Sequence, residues 1–242
     1  MTRLLNGIVA FGSALLLAVT LIGAGFAAVA IPDAATATLS RAFSGCDQPN
    51  TPFTADELAS MATAGKHYTF DDNDREKLDA AIAEANAAAE ADGRATASTR
   101  ENAARSLPAD AISHLDDVYR VASMAKPALV IVAVLCIAGL AHVAVRIGRR
   151  ALGRTLMAAG GLVLAAFFAL GSWAAIDFDG LFAAFHSLFF QAGTWTFPYD
   201  SLLITLYPTA FWMGMGGIWL AVTCIASIIC IIVGRLLRSE TE

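Results

Sequence analysis

The chain has 242 residues, of which 57% are hydrophobic and 15% charged, and its formal net charge is −5. An average soluble protein carries about 25% charged residues, so this composition excludes an ordinary soluble domain. Four stretches of the sequence contain no charged residue, at 4–31, 127–145, 155–176 and 211–234. Each block is close to or above the roughly 20 residues that a helix needs to cross a bilayer.

We therefore predict an all-α membrane protein with four transmembrane helices, an extracytoplasmic helical loop and a short re-entrant or interfacial helix. The predicted parts, in chain order, are transmembrane helix one (1–31), an extracytoplasmic helical segment (32–126), helix two (127–145), a cytoplasmic basic turn (146–154), helix three (155–176), an extracytoplasmic re-entrant or interfacial segment (177–210), helix four (211–234) and a cytoplasmic tail (235–242). Ala28-Val29-Ala30 leaves a cleaved signal peptide as an alternative for the first block. Its apolar run exceeds the roughly 7–15 residues of a signal h-region, which favours a retained helix.

Orientation follows from the positive charges that flank the spans. Seven arginines fall on one side of the predicted topology: Arg3, Arg146, Arg149, Arg150, Arg154, Arg235 and Arg238. Segment 32–126 instead holds 16 acidic and 9 basic residues, and segment 177–210 holds three Asp and no Lys or Arg. Both termini are therefore predicted to be cytoplasmic, and both long loops extracytoplasmic.

The first loop begins with helical signals. Thr54 and Glu57 have the spacing of a capping box, and Asp72 is a candidate cap for a helix over 75–92 that Gly93 would end. That helix is rich in Ala and Glu, with few large apolar residues. It predicts an amphipathic or partly mobile hairpin and not a second globular domain, followed by a turn at 93–98 that carries Arg94 on an exposed tip.

A further helix starts at Ser106-Leu107-Pro108, where proline is tolerated in the first turn, and continues to about residue 125 before Pro127 opens or bends the next span. His114 and Asp117 lie three residues apart, so they share one helical face. Asp116 is expected to be solvated.

The second loop contains an apolar helix that is too short to cross a membrane, which predicts a re-entrant or interfacial placement. His186 lies within it between Phe185 and Phe189, and Trp195 follows in irregular backbone at the expected headgroup level. An apolar, aromatic environment favours the neutral imidazole, which can act as a general base.

His114 and His186 each lie within a recognisable sequence motif. His114-Leu115-Asp116-Asp117-Val118 fits H-x-x-D-V, and residues 185–190 with Thr194-Trp195, Pro208 and Phe211-Trp212 fit F-H-x-x-F-F…T-W…P…F-[FW]. With four helices and outward loops, the chain resembles the lipoprotein intramolecular transacylase family of small integral membrane proteins. The resemblance covers the first helix and residues from about 107 onward, and leaves 72–105 as an expected elaboration of this chain.

The resemblance implies an enzyme of the bacterial cytoplasmic membrane whose active face is extracytoplasmic. It would move the sn-2 acyl chain of a diacylglyceryl-cysteine lipoprotein to that cysteine's own amino group. The family's essential histidines carry over to His114 and His186, and its acidic residue to Asp117. The substrate-binding candidates are Phe185, Phe189, Trp195 and Arg120. The expected partners are lipid-modified bacterial lipoproteins and membrane lipid, without nucleic acid, cofactor or metal.

The chemistry needs a base for the amine proton, a donor for the leaving glycerol oxygen and stabilisation of the oxyanion. Two imidazoles can divide the first two tasks, and Asp117 can orient His114. No G-x-S-x-G motif is present, so direct transfer without an acyl-enzyme is the simpler hypothesis.

Three alternatives remain open. A metal-dependent hydrolase could use His67, His114, His186 and Asp117, although no H-E-x-x-H spacing occurs. A non-catalytic scaffold would use the histidines only for packing. A transporter is the least favoured, because the four predicted spans contain no Asp, Glu, Lys or Arg.

Overall fold

The computed structural model describes residues 2–95 and 105–239, which form helices and, within these ranges, no strand. The helices in chain order are α1 (Thr2–Ala30), α2 (Asp33–Phe43), α3 (Ala55–Phe70), α4 (Arg75–Ala91), α5 (Ala109–His142) with a π-helical turn (Val143–Ile147), α6 (Arg149–Ile176), α7 (Phe178–Phe189), α8 (Leu202–Leu206) and α9 (Thr209–Ser239).

Four helices in the described residues are long and apolar enough to cross a membrane: α1, α5 with its π-helical turn, α6 and α9. The prediction of an all-α, multi-pass membrane protein is thereby confirmed. Helix α5 continues through Pro127 without a break. Its charged residues all precede Pro127, whereas the stretch from Pro127 to His142 carries none, so only this later part has the composition of a span.

The chain divides into two compact units. We call residues 1–29, 125–181 and 218–242 the span unit, and residues 30–124 and 182–217 the loop unit. Each unit draws on separate parts of the chain, and each has its own packing.

Small residues bring helices of the span unit into backbone contact. A Cβ placed on Gly153 of α6 would lie 2.5 Å from the carbonyl oxygen of Gly234 on α9, and one on Gly234 would lie 2.6 Å from the oxygen of Gly153. Gly160 faces the carbonyl oxygen of Ser227 in the same way, at 2.6 Å. Glycine at these positions removes the side chain that would otherwise separate the helices, which is the usual role of small residues in membrane helix packing.

The reversal between α5 and α6 is shorter than the predicted turn at 146–154, because α6 already begins at Arg149. Gly148 makes the reversal with φ of 110°, a conformation that glycine adopts without a Cβ penalty. Its amide donates to the carbonyl of Val143 at 2.9 Å and closes the π-helical turn.

The capping box at the start of α3 is present, with Thr54 and Glu57 each bonding the other's amide. The cap of α4 is Asp74 and not Asp72 as expected: the Asp74 carboxylate accepts from the amides of Glu76 and Lys77. Asp72 instead accepts the amide of Asp74 at 3.1 Å. The sequence offers several aspartates here, and the backbone path selects the one next to the first turn.

Helix α4 is amphipathic, one of the two forms that the sequence predicted for it, and its apolar face belongs to the loop unit's core. Its buried face consists of Leu78, Ile82, Ala85 and Ala89. The alanines make the helix narrow enough to pack closely on α3, where Leu58 and Met61 belong to the same buried cluster.

Arg94 also differs from its predicted place on an exposed tip. Its guanidinium donates to both carboxylate oxygens of Glu57, at 2.9 and 2.7 Å, and thereby ties the end of α4 to the start of α3. Gly93 ends α4 with φ of 67°, as expected for a C-terminal glycine. Residues 96–98 of the predicted turn lie outside the described residues.

The contact between Gly153 and Gly234 gives a direct test of the packing. Gly153→Ala is expected to lower the thermal unfolding midpoint of the purified protein by several degrees, because overpacking against backbone typically costs about 1–3 kcal/mol. Gly161→Ala on the same helix is the control, since a Cβ there has no neighbour within 4 Å. Equal midpoints for the two variants would contradict the contact.

Candidate active site

His114 is held in place by the residues beside it on α5. Asp116 accepts hydrogen bonds from the hydroxyl of Tyr68 at 2.5 Å and from the side-chain amide of Asn73 at 3.3 Å, which fixes the rotation of α5 against α3. Leu115 packs into the core of the loop unit. Asp116 was expected to be solvated. Its structural role was not visible in the sequence, because its partners lie more than 40 residues away.

His186 lies on α7, and the backbone that follows α7 is fastened to the first loop. Gln48 donates from its side-chain amide to the carbonyl of Tyr199 at 2.8 Å, and the amide of Gly45 donates to the carbonyl of Thr205 at 2.8 Å. The hydroxyl of Tyr207 donates to the carbonyl of Ala62 at 2.6 Å. The two extramembrane segments predicted from sequence thus form one unit.

The two histidines meet in this unit. Their ring centroids are 6.1 Å apart, with an angle of 29° between the planes, and the side chains are 8% and 9% exposed. Aromatic rings enclose them: Phe190 lies 4.9 Å and Phe197 5.5 Å from His114, and Trp195 lies 4.9 Å from His186, between centroids. Phe197 stands outside the motifs, and no sequence signal singled it out.

The two imidazoles have different hydrogen-bonding environments. Nδ1 of His186 lies 2.8 Å from the carbonyl oxygen of Phe182. A carbonyl can only accept, so this nitrogen carries a proton, and in the neutral ring Nε2 is left with a free lone pair. Nδ1 of His114 is buried and has no hydrogen-bond partner among the described residues.

Burial favours the neutral form of both rings. It lowers the pKa of His114 from 6.5 to about 4, and the neighbouring His186 acts in the same direction, while the Asp117 carboxylate opposes the shift. Burial also lowers the pKa of His186, opposed by its hydrogen bond to Phe182. Near pH 7 the site therefore holds two neutral imidazoles.

Asp117 lies one turn beyond His114 on the same helix, but its carboxylate binds the Arg120 guanidinium at 2.9 Å. Within the described residues no hydrogen bond connects Asp117 to either imidazole. The structure therefore shows an electrostatic influence of Asp117 on His114 and not the orienting contact that the sequence analysis anticipated. Apart from this ion pair, the Arg120 side chain is exposed.

The aromatic candidates occupy two positions. Phe185 and Phe189 form an exposed apolar face of α7, each about half exposed, with ring centroids 5.1 Å apart. Trp195 lies against His186, and its indole Nε1 is buried without a hydrogen-bond partner in the described part of the chain. An indole nitrogen can only donate, so it presents an unused donor beside the histidine pair.

The other two histidines do not join this site. The ring nitrogens of His67 face Asp71 and, at 3.2 Å, Asp33, and Asp33 also accepts from the ammonium group of Lys66 at 2.5 Å. His142 is exposed at the end of α5, in the span unit. Among the described residues no group of three or more His, Cys, Asp or Glu side chains is arranged to hold a metal ion.

Comparison with known proteins places this arrangement in a family. The family model for lipoprotein intramolecular transacylase (Lit) matches residues 92–212, which is half of the chain. The chain belongs to this family. The matched region contains His114, His186 and every other residue predicted for the site. No curated protein sequence matches the chain.

Solved Lit structures share the fold. The chain superposes on a Lit structure from Bacillus cereus with a TM-score of 0.73 and 16% identity, over 98% of this chain and 97% of the other. Two B. cereus Lit variants, in which a histidine is replaced by arginine or by alanine, give TM-scores of 0.68 and 0.71 at the same identity, covering 99% of this chain and 95% and 96% of the others. The family model begins at residue 92, so the expectation that all of 72–105 is an elaboration of this chain is wrong for residues 92–105.

The electrostatic coupling between the two rings can be measured. His186→Gln is expected to raise the pKa of His114 from about 4 towards 6.5, because the substitution removes a group whose charge lowers it. Titration of the imidazole Cε1–H resonances in micelles checks the shift, with His142→Gln as the control. An unchanged or lower pKa of His114 in His186→Gln would show that the rings are not coupled.

Proposed function

We propose that this protein is an integral membrane acyltransferase that converts a diacylglyceryl-cysteine lipoprotein to its lyso form. The sn-2 acyl chain would move to the α-amino group of the same N-terminal cysteine. The observation that carries the proposal is the stacked pair of buried, neutral histidines His114 and His186, in a chain of the lipoprotein intramolecular transacylase family. Its substrates would be bacterial lipoproteins, and it would be surrounded by membrane lipid.

The proton balance of this reaction suits a neutral pair. The amine nitrogen forms a bond to the ester carbonyl carbon, the bond from that carbon to the glycerol oxygen breaks, and one proton passes from nitrogen to oxygen. An imidazole that accepts the proton can return it within the same cycle, so the pair begins and ends neutral. Donor and acceptor belong to one molecule, which supplies the proximity that a two-substrate enzyme must create.

We assign the first proton transfer to His186, because its Nδ1 is committed to the Phe182 carbonyl and its Nε2 lone pair is free. His114 then passes the proton towards the leaving glycerol oxygen. The negative charge of Asp117 would stabilise an imidazolium at His114, in line with its opposing effect on the His114 pKa.

Trp195 would supply the oxyanion stabilisation. Its buried indole N–H has no acceptor within residues 2–95 and 105–239, and leaving a buried donor unpaired costs about 1–3 kcal/mol. An ester carbonyl oxygen placed beside His186 would accept this bond, and would accept it more strongly as negative charge develops in the transition state. The exposed Phe185 and Phe189 would contact the acyl chains, and Arg120 would meet polar groups at the membrane surface.

The orientation of the protein in the membrane is inferred from its positive charges. The arginine-rich ends of the spans would face the cytoplasm by the positive-inside rule, with both termini on that side. The loop unit and its histidines would then lie on the extracytoplasmic face of a bacterial cytoplasmic membrane. A non-catalytic scaffold and a metal-dependent hydrolase are the alternatives. His67, one of the four residues that the hydrolase would use, instead contacts Asp71 and Asp33.

Loss of either ring should abolish the reaction. His114→Ala and His186→Ala are each expected to reduce formation of the lyso product by about 10²-fold or more, as removal of a general acid or base does. The measurement is mass spectrometry of the N-terminal peptide of a co-expressed lipoprotein. His142→Ala is the matched control and should retain full activity.

The outcome separates the alternatives. If the wild-type protein is well expressed and the diacylglyceryl-cysteine still carries a free amine, transacylation is rejected. Activity that persists in both histidine variants would favour the scaffold, and wild-type activity that disappears on treatment with a chelator would favour the metal hydrolase.

The proposed role of Trp195 has its own test. Trp195→Phe keeps an aromatic ring but removes the N–H, and should lower kcat by about 10²–10³ with little change in KM, as expected for a lost oxyanion donor. Trp212→Phe, a partly exposed indole whose ring lies 6.1 Å from Phe182, serves as the control. A change confined to KM would show that Trp195 only binds the substrate.

A further inference from the structure

A cavity whose wall includes two arginines lies in the span unit, which contains none of the catalytic candidates. It has a volume of about 400 Å³ and lies between the beginning of α1 and the beginning of α6. Two arginines, one from each helix, contribute to its wall. Its lining consists of Arg3, Asn6, Gly7, Ala10, Ile147, Ala151, Arg154 and Thr155.

Among the described residues nothing compensates the positive charge of this cavity. In that part of the chain no acidic residue lines it, and the first turns of α1 and α6 contain none. Neither Arg3 nor Arg154 forms an ion pair or a side-chain hydrogen bond with another described residue. Two arginines that line one cavity without a carboxylate favour an anion, because the planar fork of arginine pairs with two oxygens of a phosphate or carboxylate at once.

The backbone around the cavity also favours an anion. Amides in the first turn of a helix lack intrahelical acceptors and carry the positive end of the helix dipole. On α6 the amide of Ala151 already donates to the carbonyl of Gly148 at 3.0 Å, so this argument applies to the first turn of α1, where Arg3 lies. The side-chain amide of Asn6, which also lines the cavity, is a further donor. Gly7, Ala10 and Ala151 leave room on the apolar side, where the glycerol and first methylenes of a lipid would fit.

We propose that this cavity binds the phosphate-bearing headgroup of an anionic phospholipid, in the leaflet that the arginine-rich end of the spans faces. The site lies between two helices that are apolar enough to cross a membrane, so a lipid headgroup reaches it by lateral diffusion. Basic pockets between transmembrane helices bind anionic lipid headgroups in this way. The lipid would hold α1 against α6 at this end, whatever reaction the loop unit performs.

Native mass spectrometry of the full-length protein in detergent, titrated with phosphatidylglycerol, tests the proposal. Arg3→Gln with Arg154→Gln is expected to weaken the apparent affinity by about thirtyfold, from the usual contribution of two basic residues to anionic-lipid binding. The control is Arg146→Gln with Arg235→Gln, which removes the same charge from residues outside the cavity. An equal loss in the two double variants would overturn the site, because general attraction to anionic lipid would then account for the binding.

A second variant tests the cavity without changing its charge. A Cβ at Gly7 has no neighbour within 4 Å, and Gly7 lines the cavity, so the side chain of Gly7→Leu should occupy part of the cavity and displace the lipid. Gly12→Leu on the same helix also meets open space but lies outside the cavity, and should leave binding unchanged. Equal lipid binding by these two variants would overturn the proposal even if the arginine variants fail to fold.

Two further titrations identify the ligand. Phosphatidylcholine should bind more weakly than phosphatidylglycerol, and inorganic phosphate in excess should not displace the lipid. Equal binding of the two lipids would overturn the requirement for an anionic headgroup. Displacement by phosphate, lost in the Arg3 and Arg154 variant, would show that the site takes the free ion instead.

Discussion

Burial of the His114 and His186 rings is the constraint on which the rest of the site depends. A protonated imidazole pays a desolvation penalty in an apolar environment, so two adjacent rings among Phe190, Phe197 and Trp195 remain neutral together. The first ring that takes up a proton would also make protonation of its neighbour harder, because two positive charges would then lie about 6 Å apart. In the proposed reaction the pair would therefore carry one proton at a time.

This burial requires a scaffold outside the membrane-spanning stretches. The histidines come from distant parts of the chain, and separate contacts of the loop unit hold each one. Asp116 fixes the rotation of α5 through Tyr68, and the turn around Gly45 holds the backbone near Thr205. Helix α4 buries Leu78 in the same core. The long first loop is thus the support that keeps an aromatic site closed to water.

The sequence predicted those features that depend on composition or on local spacing. Uncharged blocks predicted the four long apolar helices, Thr54 and Glu57 predicted a capping box, and the resemblance to the transacylase family paired His114 with His186. It could not predict features that need a distant partner. The alanines of α4 resemble a weak core former until α3 packs against them, and Arg94 looks exposed until Glu57 is placed beside it. Asp116 and Asp117 are neighbours of the same type, yet only the fold shows that the first anchors the helix and the second faces Arg120.

The difference between the two histidines gives the proposed reaction a direction. Nδ1 of His186 is fixed by a carbonyl in its own helix, so the tautomer with a free Nε2 lone pair is preset before substrate arrives. In the described part of the chain His114 has no such bond on Nδ1, so no contact at that nitrogen fixes its tautomer. In the proposed reaction, a fixed acceptor next to an adaptable carrier would pass the proton from His186 to His114. The negative charge of Asp117 would then stabilise the imidazolium that forms at His114. This agrees with its effect on the pKa of His114, which it raises.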